Sequence, residues 1–537
     1  MIKKFFNSQS KTITSAAILL GATSLASRIL GVFRERILAG RFGAGDELDI
    51  YFAAFRVPDL IYNLLVIGAL TAGFIPVFTS YWNEEKNNHR EAWQLASNVL
   101  NILGLALIVI CGIAAIFARK IIPLITPGFN PEKINLTINM ARLIFLSPIF
   151  LGISGVLSGV LQSFKNFMTF ALAPILYNLG IIFGAVFLVD CWGLYGLAAG
   201  VLIGAFLHML IQIPPVVMAG FRYKISFNFF HSGVRKIGRL MVPRTLSLGI
   251  AQLNFVAMTF IASTLAAGSI AVFYLAYNIY ALPFGIIAVS YSVAAFPSLT
   301  ESAVKKQWKE FAKNFSSSFR QILFFIIPAA VFLIILRAQL VRVILGTGQF
   351  NWQDTILTAQ CLAFLAIGLL ADSAVMLLIR GFFAIENTII PAITTLAGTF
   401  VRLLAAFLLA KTLGIGGLAL GYSLGGFLSM IILWILLEGK IKELDSSEII
   451  IAGVKILVSA VFAGLVAYGV LNLTAPLVNM QTFLGIFTQG LFAGLAGIVA
   501  YIVAGLILKS QEMFTFWQAI THRLPWIKVA PKEEIIE

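Results

Sequence analysis

The chain has 537 residues, of which 60% are hydrophobic and only 11% charged, whereas ordinary soluble domains carry about 25% charged residues. This much apolar surface cannot be covered by so few polar side chains, so the composition excludes a soluble domain and indicates a multi-pass membrane protein. The formal net charge of +15 is explained by lysines and arginines gathered in cytoplasmic loops, so we expect no nucleic-acid partner.

Fourteen apolar segments follow one another along the chain, each long enough for a membrane crossing of about 20 residues. The predicted spans cover residues 12–33, 48–80, 93–118, 134–162, 167–189, 194–219, 238–267, 270–299, 318–345, 354–380, 387–411, 414–437, 450–474 and 482–508. The first is expected to be a retained span because no clean signal-cleavage site follows it.

The basic residues of the loops predict the orientation of these spans. An even number of spans places both termini on one side, and the loops of that side carry 23 lysines and arginines against nine on the other. Because cytoplasmic loops are enriched in these residues, both termini are predicted to be cytoplasmic.

Similar segments recur about 221 residues apart. "GLYGLAAGVLIGAF" at Gly193 matches "GIGGLALGYSLGGF" at Gly414, and "YFAAFR" at Tyr51 matches "FYLAYN" at Phe273. The predicted fold is therefore all-α, with two six-helix lobes of the same orientation and two appended helices, which is typical of alternating-access transporters. The predicted domains are an N-terminal lobe (1–222), a C-terminal lobe (223–440), spans 13 and 14 (441–510) and a cytoplasmic tail (511–537). From their position alone, we hypothesise that spans 13 and 14 form a groove for a lipid tail.

Spans 1 and 2 carry polar residues at helical spacing, which places them on shared faces. They are Arg28, Arg34, Glu35, Asp49, Arg56, Asp59 and Asn63. Ionisable groups in a span are costly and usually functional. The guanidinium group of arginine can bind two phosphate oxygens at once. These polar residues therefore predict a cationic cavity for an anionic substrate. The alternative is a set of ion pairs that only fixes packing, in which Asp49 or Glu35 pairs with Arg28, and Asp59 or Asp49 with Arg56.

Weaker candidates lie in later spans. Asp372 is in the middle of span 10 and is either an ion or proton site or the partner of Arg142 or Arg402. Arg380 and Arg402 are expected to extend towards the membrane interface, and Asn278 is more typical of helix packing. No metal or cofactor motif and no nucleophile–base motif is visible, so we expect no covalent chemistry. Coupling to the membrane potential or to a monovalent cation stays open.

The stretch "SRILGVFRERILAGRFGAGDELDIYFAAFRVPDLI" at Ser27, followed by "GALTAGFIPVF", resembles the N-terminal signature of the MurJ (MviN) family. "RGFFAIENTIIP" at Arg380 is similar to the segment before that family's eleventh span. The family comprises the lipid II flippases of peptidoglycan synthesis, in the multidrug/oligosaccharidyl-lipid/polysaccharide (MOP) exporter superfamily. The resemblance implies a bacterial cytoplasmic-membrane protein with a V of two lobes and a central cationic cavity for the pyrophosphate and sugars. Spans 13 and 14 would bind the undecaprenyl tail. The implied partners are lipid II or a related undecaprenyl-pyrophosphate glycolipid, membrane lipids and cell-wall synthesis proteins.

Where the chain resembles the family signature, Arg28 and Arg34 stand at positions of family arginines on span 1. Arg56 stands at a basic position on span 2. Asp49 matches an acidic position, and Glu35 stands where an aspartate is usual.

The chain also departs from the family pattern. Tyr62 and Asn278 stand where the family usually has arginines, and Asn387 replaces an aspartate linked to a sodium site. Either the first lobe holds most of the pyrophosphate, or the substrate differs. The alternatives are an exporter of another lipid-linked oligosaccharide, a cation-coupled drug antiporter, or a non-transporting scaffold.

Overall fold

The computed structural model describes residues 13–68, 73–84, 89–164, 166–444 and 446–521. Helices joined by short loops make up these residues, which contain no β-strand. The helices are α1 (Ile13–Phe42), α2 (Asp46–Tyr62), α3 (Ile75–Glu84), α4 (Arg90–Ile125), α5 (Pro131–Ile144), α6 (Ser147–Ser163), α7 (Phe167–Phe183), α8 (Val189–Trp192), α9 (Leu194–Leu210), α10 (Ile213–Met218), α11 (Ser232–Ser263), α12 (Ser269–Pro283), α13 (Val289–Val304), α14 (Trp308–Ile335), α15 (Arg337–Leu345), α16 (Trp352–Ala384), α17 (Ile389–Lys440), α18 (Ser446–Thr474), α19 (Phe483–Ile507) and α20 (Gln511–Thr521).

Eleven continuous helical stretches among the described residues are long and apolar enough to cross a membrane. They are Asp46–Ile67, Arg90–Ile125, Pro131–Ser163, Met168–Trp192, Leu194–Met218, Ser269–Val304, Trp308–Ile335, Trp352–Ala384, Ile389–Lys440, Ser446–Leu477 and Phe483–Ile507. The predicted all-helical membrane fold is thus confirmed. The count of fourteen spans and the two-lobe repeat stay predictions.

Helix α17 has 52 residues, and would be about 78 Å long if it were straight, more than twice the hydrocarbon thickness of a bilayer. Its backbone is not helical at Gly414, where φ is 55° and ψ is −133°. This break lies where predicted spans 11 and 12 meet. A residue with a Cβ would be strained at this positive φ, which explains the glycine.

Two local backbone features recur at the sequence spacing of 221 residues. A π-helical turn continues α2 at Asn63–Ile67, and another continues α12 at Phe284–Ala288. Gly193 has φ 54° and ψ −142°, close to the values at Gly414. These matches support the predicted repeat.

Glycines allow α7 and α9 to pack backbone against backbone. Gly180 faces Gly204, and a Cβ built on Gly184 would lie 2.6 Å from the Cα of Gly200. Such an approach is possible only without side chains, and it is a common basis of helix association in membranes, where lipid supplies no hydrophobic drive. The glycine motif from which the repeat was predicted therefore has a packing role.

The chain divides into two compact units. Unit 1 comprises Met1–Leu275 with Ile344–Asp354, and unit 2 comprises Ala276–Val343 with Thr355–Glu537. The predicted domain boundaries at 222, 440 and 510 stay predictions.

In unit 1 a buried polar network joins α6 to the end of α9. Gln212 donates to the Ser154 hydroxyl at 2.6 Å and to the carbonyl oxygen of His208 at 3.0 Å. Ser158 donates to Gln212 at 2.6 Å. Because these buried groups are partnered, the network fixes helix positions without an uncompensated desolvation cost.

Candidate substrate-binding site

Arg34 lies between α1 and α7 in unit 1. Its guanidinium forms an ion pair with Glu35 and donates to the side-chain oxygen of Asn178 at 2.9 Å. Asn178 in turn donates to the carbonyl oxygen of Pro174 at 3.1 Å. The Arg34 side chain is 25% exposed, so it is held in place and still reachable by a ligand.

Arg56 is buried on α2, with 5% of its surface exposed. Its guanidinium carbon lies 3.8 Å from the ring centre of Tyr274, and its Nε donates to the carbonyl oxygen of Phe52 at 3.1 Å. Within the described part of the chain it forms no ion pair. A direct ion pair with Asp59 or Asp49 is therefore wrong. The charge of Asp59 acts on Arg56 from a longer distance, and stacking on the Tyr274 ring also stabilises the cation.

The other predicted residues of this region differ in exposure. Arg28 is exposed on α1 and makes no ion pair with a described residue, so its pairing with Asp49 or Glu35 is wrong as well. Asp59 is half-buried, and the Asn63 side chain donates to its carbonyl oxygen at 2.8 Å. Arg28, Asp59 and Asn63 stay candidate ligands by position.

Asp49 belongs to a different cluster at the predicted outer end of unit 1. We call Asp46, Asp49, Lys133, Gly268 and Ala271 the outer cluster. Lys133 Nζ lies 2.5 Å from an Asp46 oxygen and 2.8 Å from an Asp49 oxygen. The Asp49 carboxylate also accepts the backbone N–H groups of Gly268 and Ala271, each at 2.8 Å. It therefore caps the N-terminus of α12, where a negative charge is favoured.

Loops around the outer cluster hold its members in place. Asn130 caps α5 by accepting the backbone N–H of Lys133 at 2.8 Å, and Lys133 Nζ lies 4.0 Å from the ring centre of Phe129. The segment Ile344–Asp354 also attaches here, because Asp354 accepts the backbone N–H of Ala44 at 3.2 Å. Asp49 is left with only 2% exposure, so a ligand cannot reach it without a rearrangement.

In unit 2, Asp372 and Arg402 form a partly buried ion pair, with side chains 16% and 15% exposed. Arg402 donates to Asp372 at 2.9 Å, and the Tyr280 hydroxyl donates to the other carboxylate oxygen at 2.5 Å. The guanidinium carbon of Arg402 lies 3.8 Å from the ring centre of Tyr422. The predicted extension of Arg402 to the interface is wrong, and the alternative that paired it with Asp372 is confirmed. Arg142 instead donates to the carbonyl oxygen of Ala115 at 3.1 Å.

The remaining two candidates also lie in unit 2. Asn278 is half-buried on α12. Arg380 is half-buried on α16, with its guanidinium carbon 5.2 Å from the ring centre of Phe296.

Sequence reasoning missed Lys133 and Tyr274. Lys133 is one of the nine basic residues assigned above to the outer side, and it lies one turn into a helix that opens with Asn-Pro, a capping signal. Tyr274 lies in the uncharged repeat partner of span 2 and carries no signal by itself, because only the fold brings it over Arg56.

The overall architecture resembles two kinds of solved transporter. A structure titled "Lipid II flippase MurJ, inward closed conformation" matches with a TM-score of 0.75 at 25% identity, over 94% of this chain and 99% of that one. A structure of a multidrug resistance MATE family transporter of the MOP superfamily matches with a TM-score of 0.65 at 17% identity, over 80% of this chain and 98% of that one. The fold is therefore that of the MOP-superfamily transporters.

Sequence comparison narrows this class to one family. The sequence model described as "Lipid II flippase MurJ" matches residues 38–488. A protein of Rhizobium tropici named probable lipid II flippase MurJ is 31% identical over 431 residues, covering 78% of this chain and 80% of the relative. A protein of the same name from Buchnera aphidicola subsp. Acyrthosiphon pisum is 28% identical over 506 residues, covering 92% and 97%. The chain belongs to the MurJ lipid II flippase family, and it is an integral inner-membrane protein.

Proposed function

We propose that this chain moves lipid II from the cytoplasmic to the outer leaflet by alternating access, for peptidoglycan synthesis, and performs no covalent chemistry. Arg56 is the observation that carries the proposal. It is buried in a membrane-spanning helix and forms no ion pair with a described residue. A cation in a membrane span that no carboxylate contacts directly is costly and marks a site for an anionic ligand.

The arginines have the chemistry that a pyrophosphate needs. Arg28, Arg34 and Arg56 provide planar guanidinium groups that can each bind two phosphate oxygens. The other acids of α2, Asp46, Glu47 and Asp49, lie in its first turn at the predicted outer end, where Asp46 and Asp49 pair with Lys133. Glu35 and Asp59 are therefore the acids of these two helices that lie nearest to the arginines. The excess of cations favours an anionic glycolipid over the cationic substrates of a drug antiporter. The accessible Arg28 and the partly exposed Arg34 also argue against a scaffold with fully paired charges.

The outer cluster acts as the gate on the predicted outer side. Its closed form ties α2, α5 and the N-terminus of α12 together through two ion pairs and two backbone hydrogen bonds. Opening towards the outside requires all four contacts to break. Substrate release on that side therefore depends on separating Lys133 from its carboxylates.

We propose that the membrane potential drives transport, because the substrate is negatively charged. Moving a head group with about two negative charges outward gains roughly 2.3 kcal/mol per charge per 100 mV of inside-negative potential. We propose further that movement of a monovalent cation contributes to driving transport. We also propose that spans 13 and 14 bind the undecaprenyl tail, and that cell-wall synthesis proteins are partners.

Complementation and binding test this function together. Arg34→Ala and Arg56→Ala are each expected to abolish rescue of cells depleted of their lipid II flippase. Binding of lipid II to the purified variants, followed by native mass spectrometry, should fall in parallel. Arg119→Gln removes an exposed cation on the predicted outer side and should retain both properties. Normal growth and unchanged lipid II binding of both alanine variants would overturn the proposal.

A further inference from the structure

A basic and aromatic segment comprises the connection from α10 to α11 and the first two turns of α11, and we call these residues 222–239 the basic strap. Its first part, up to residue 228, has no regular secondary structure and lies along α4. Asn101 donates to the carbonyl oxygens of Lys224 and Ser226 at 2.9 and 3.0 Å, and Asn98 accepts the backbone N–H of Asn228 at 3.3 Å. Because side chains of α4 satisfy its backbone, this first part has a defined position without being helical.

The strap turns large apolar side chains away from the protein. Ile225 is 79% exposed, Phe227 47% and Phe229 53%. Phe230 beside them is 78% exposed, so four of the six residues from 225 to 230 present exposed apolar side chains. Contiguous exposed apolar side chains of this kind mark an interaction surface.

The same segment is strongly cationic. Its five basic residues are all exposed, namely Arg222, Lys224, Arg235, Lys236 and Arg239. Residues 191–300 contain no aspartate or glutamate at all, so the sequence around the strap offers these cations no acid. The guanidinium carbon of Arg235 lies 5.1 Å from the ring centre of Phe230, which places charge and apolar surface side by side.

We propose that the basic strap binds anionic lipid head groups of the leaflet at its own end of the spans, with Ile225 and Phe230 inserted among the lipids. The strap starts four residues after the membrane helix pair ends at Met218, and α11 begins at Ser232. This places it at the depth of the head groups. Aromatic residues with lysine and arginine are typical of interfacial anchors and of anionic-lipid recognition. An acidic protein would satisfy the cations but leave the apolar row uncovered, so the lipid surface is the better match.

Photocrosslinking in vesicles tests this surface directly. Phe230 is replaced by photoreactive p-benzoylphenylalanine in the full-length chain, which is reconstituted in an equal mixture of phosphatidylglycerol and phosphatidylcholine. We expect lipid adducts in which phosphatidylglycerol is enriched well above half. Adducts in proportion to the mixture would overturn the anionic selectivity. No lipid adduct in vesicles, or mainly protein adducts after photolysis in cells, would overturn the lipid assignment.

Charge variants show whether the strap itself makes the selection. Changing each strap cation to glutamine should lower the ratio of phosphatidylglycerol to phosphatidylcholine among the adducts at position 230 by about fivefold. The matched control changes four exposed lysines on the same predicted side, Lys305, Lys306, Lys309 and Lys313, to glutamine. This control should retain the enrichment at position 230. If the strap variants and the control lose phosphatidylglycerol enrichment equally, net charge alone, and not the strap, attracts the lipid.

Discussion

Replacing Lys133 by methionine removes the cation of the outer cluster while keeping most of the side-chain volume. In the closed cluster Lys133 bridges Asp46 and Asp49. The substitution leaves the Asp49 carboxylate with its two backbone N–H donors and without a cation. If the cluster is the outer gate, the closed state is destabilised and the open state, in which Asp49 is hydrated, is much less affected.

The size of this effect follows from burial. The Lys133 side chain is 9% exposed and that of Asp49 3%, and removing one partner of a buried pair typically costs about 3–5 kcal/mol. Asp46 is 55% exposed, so its half of the bridge is screened by solvent, and the α12 N-terminus still stabilises Asp49. We therefore expect a loss of about 2 kcal/mol, which raises the open fraction roughly thirty-fold when the closed state dominates.

Cysteine labelling measures this shift. Cys191 is exposed whereas Cys111 and Cys361 are buried, so a Cys191→Ser background is silent towards a membrane-impermeant maleimide. Ser269→Cys places a reporter, at a position only 6% exposed, beside the outer cluster. In spheroplasts, the reporter should react roughly thirty-fold faster in the Lys133→Met variant than in the parent.

Two controls make the result specific. Lys133→Arg keeps the charge and should stay much closer to the parent than Lys133→Met. Lys120→Met removes an exposed lysine on the predicted outer side and should not change the labelling rate. If Lys133→Met and the parent react equally fast, the outer cluster does not close this end of the molecule.

Three further predictions concern other contacts. Arg56→Lys keeps the charge but loses the guanidinium stacked on the facing tyrosine, so lipid II binding should weaken about 5–30-fold in native mass spectrometry; unchanged affinity would contradict the role of stacking. Arg402→Leu leaves the partly buried Asp372 carboxylate without its cation, and should lower the thermal unfolding midpoint in detergent more than the double variant in which Asp372 and Arg402 are both leucine; an equal or larger loss in the double variant would count against this. Gly200→Leu should abolish folded yield, measured by size-exclusion chromatography, because a Cβ there lies 2.6 Å from the facing helix backbone, whereas Gly112→Leu, with open space around it, should fold.

Much of the architecture was predictable because hydropathy acts along the chain. A helix in a bilayer must be apolar over about 20 residues, so most helices observed lie where the spans were predicted. The arginines of α1 and α2 were identifiable for the same reason, since charges in such segments are rare and costly.

The partners of those charges were not predictable. Asp49 was expected to pair with an arginine, but Lys133, 84 residues away, and the α12 N-terminus, about 220 residues away, meet it instead. Arg402 was expected at the interface, but Asp372, Tyr280 and Tyr422 surround it. Several geometrically reasonable partners exist for each charge, and only the packing of distant segments selects one.

The sequence by itself therefore determined the membrane class, the helices and the family, because local composition and motifs are sufficient for these. The tertiary structure decided which charges are neutralised, which are buried, and which remain available to a ligand. Arg56 shows the difference most clearly. Its presence in a span is a property of the sequence, whereas its stacking on Tyr274 without a carboxylate results from contacts more than 200 residues apart.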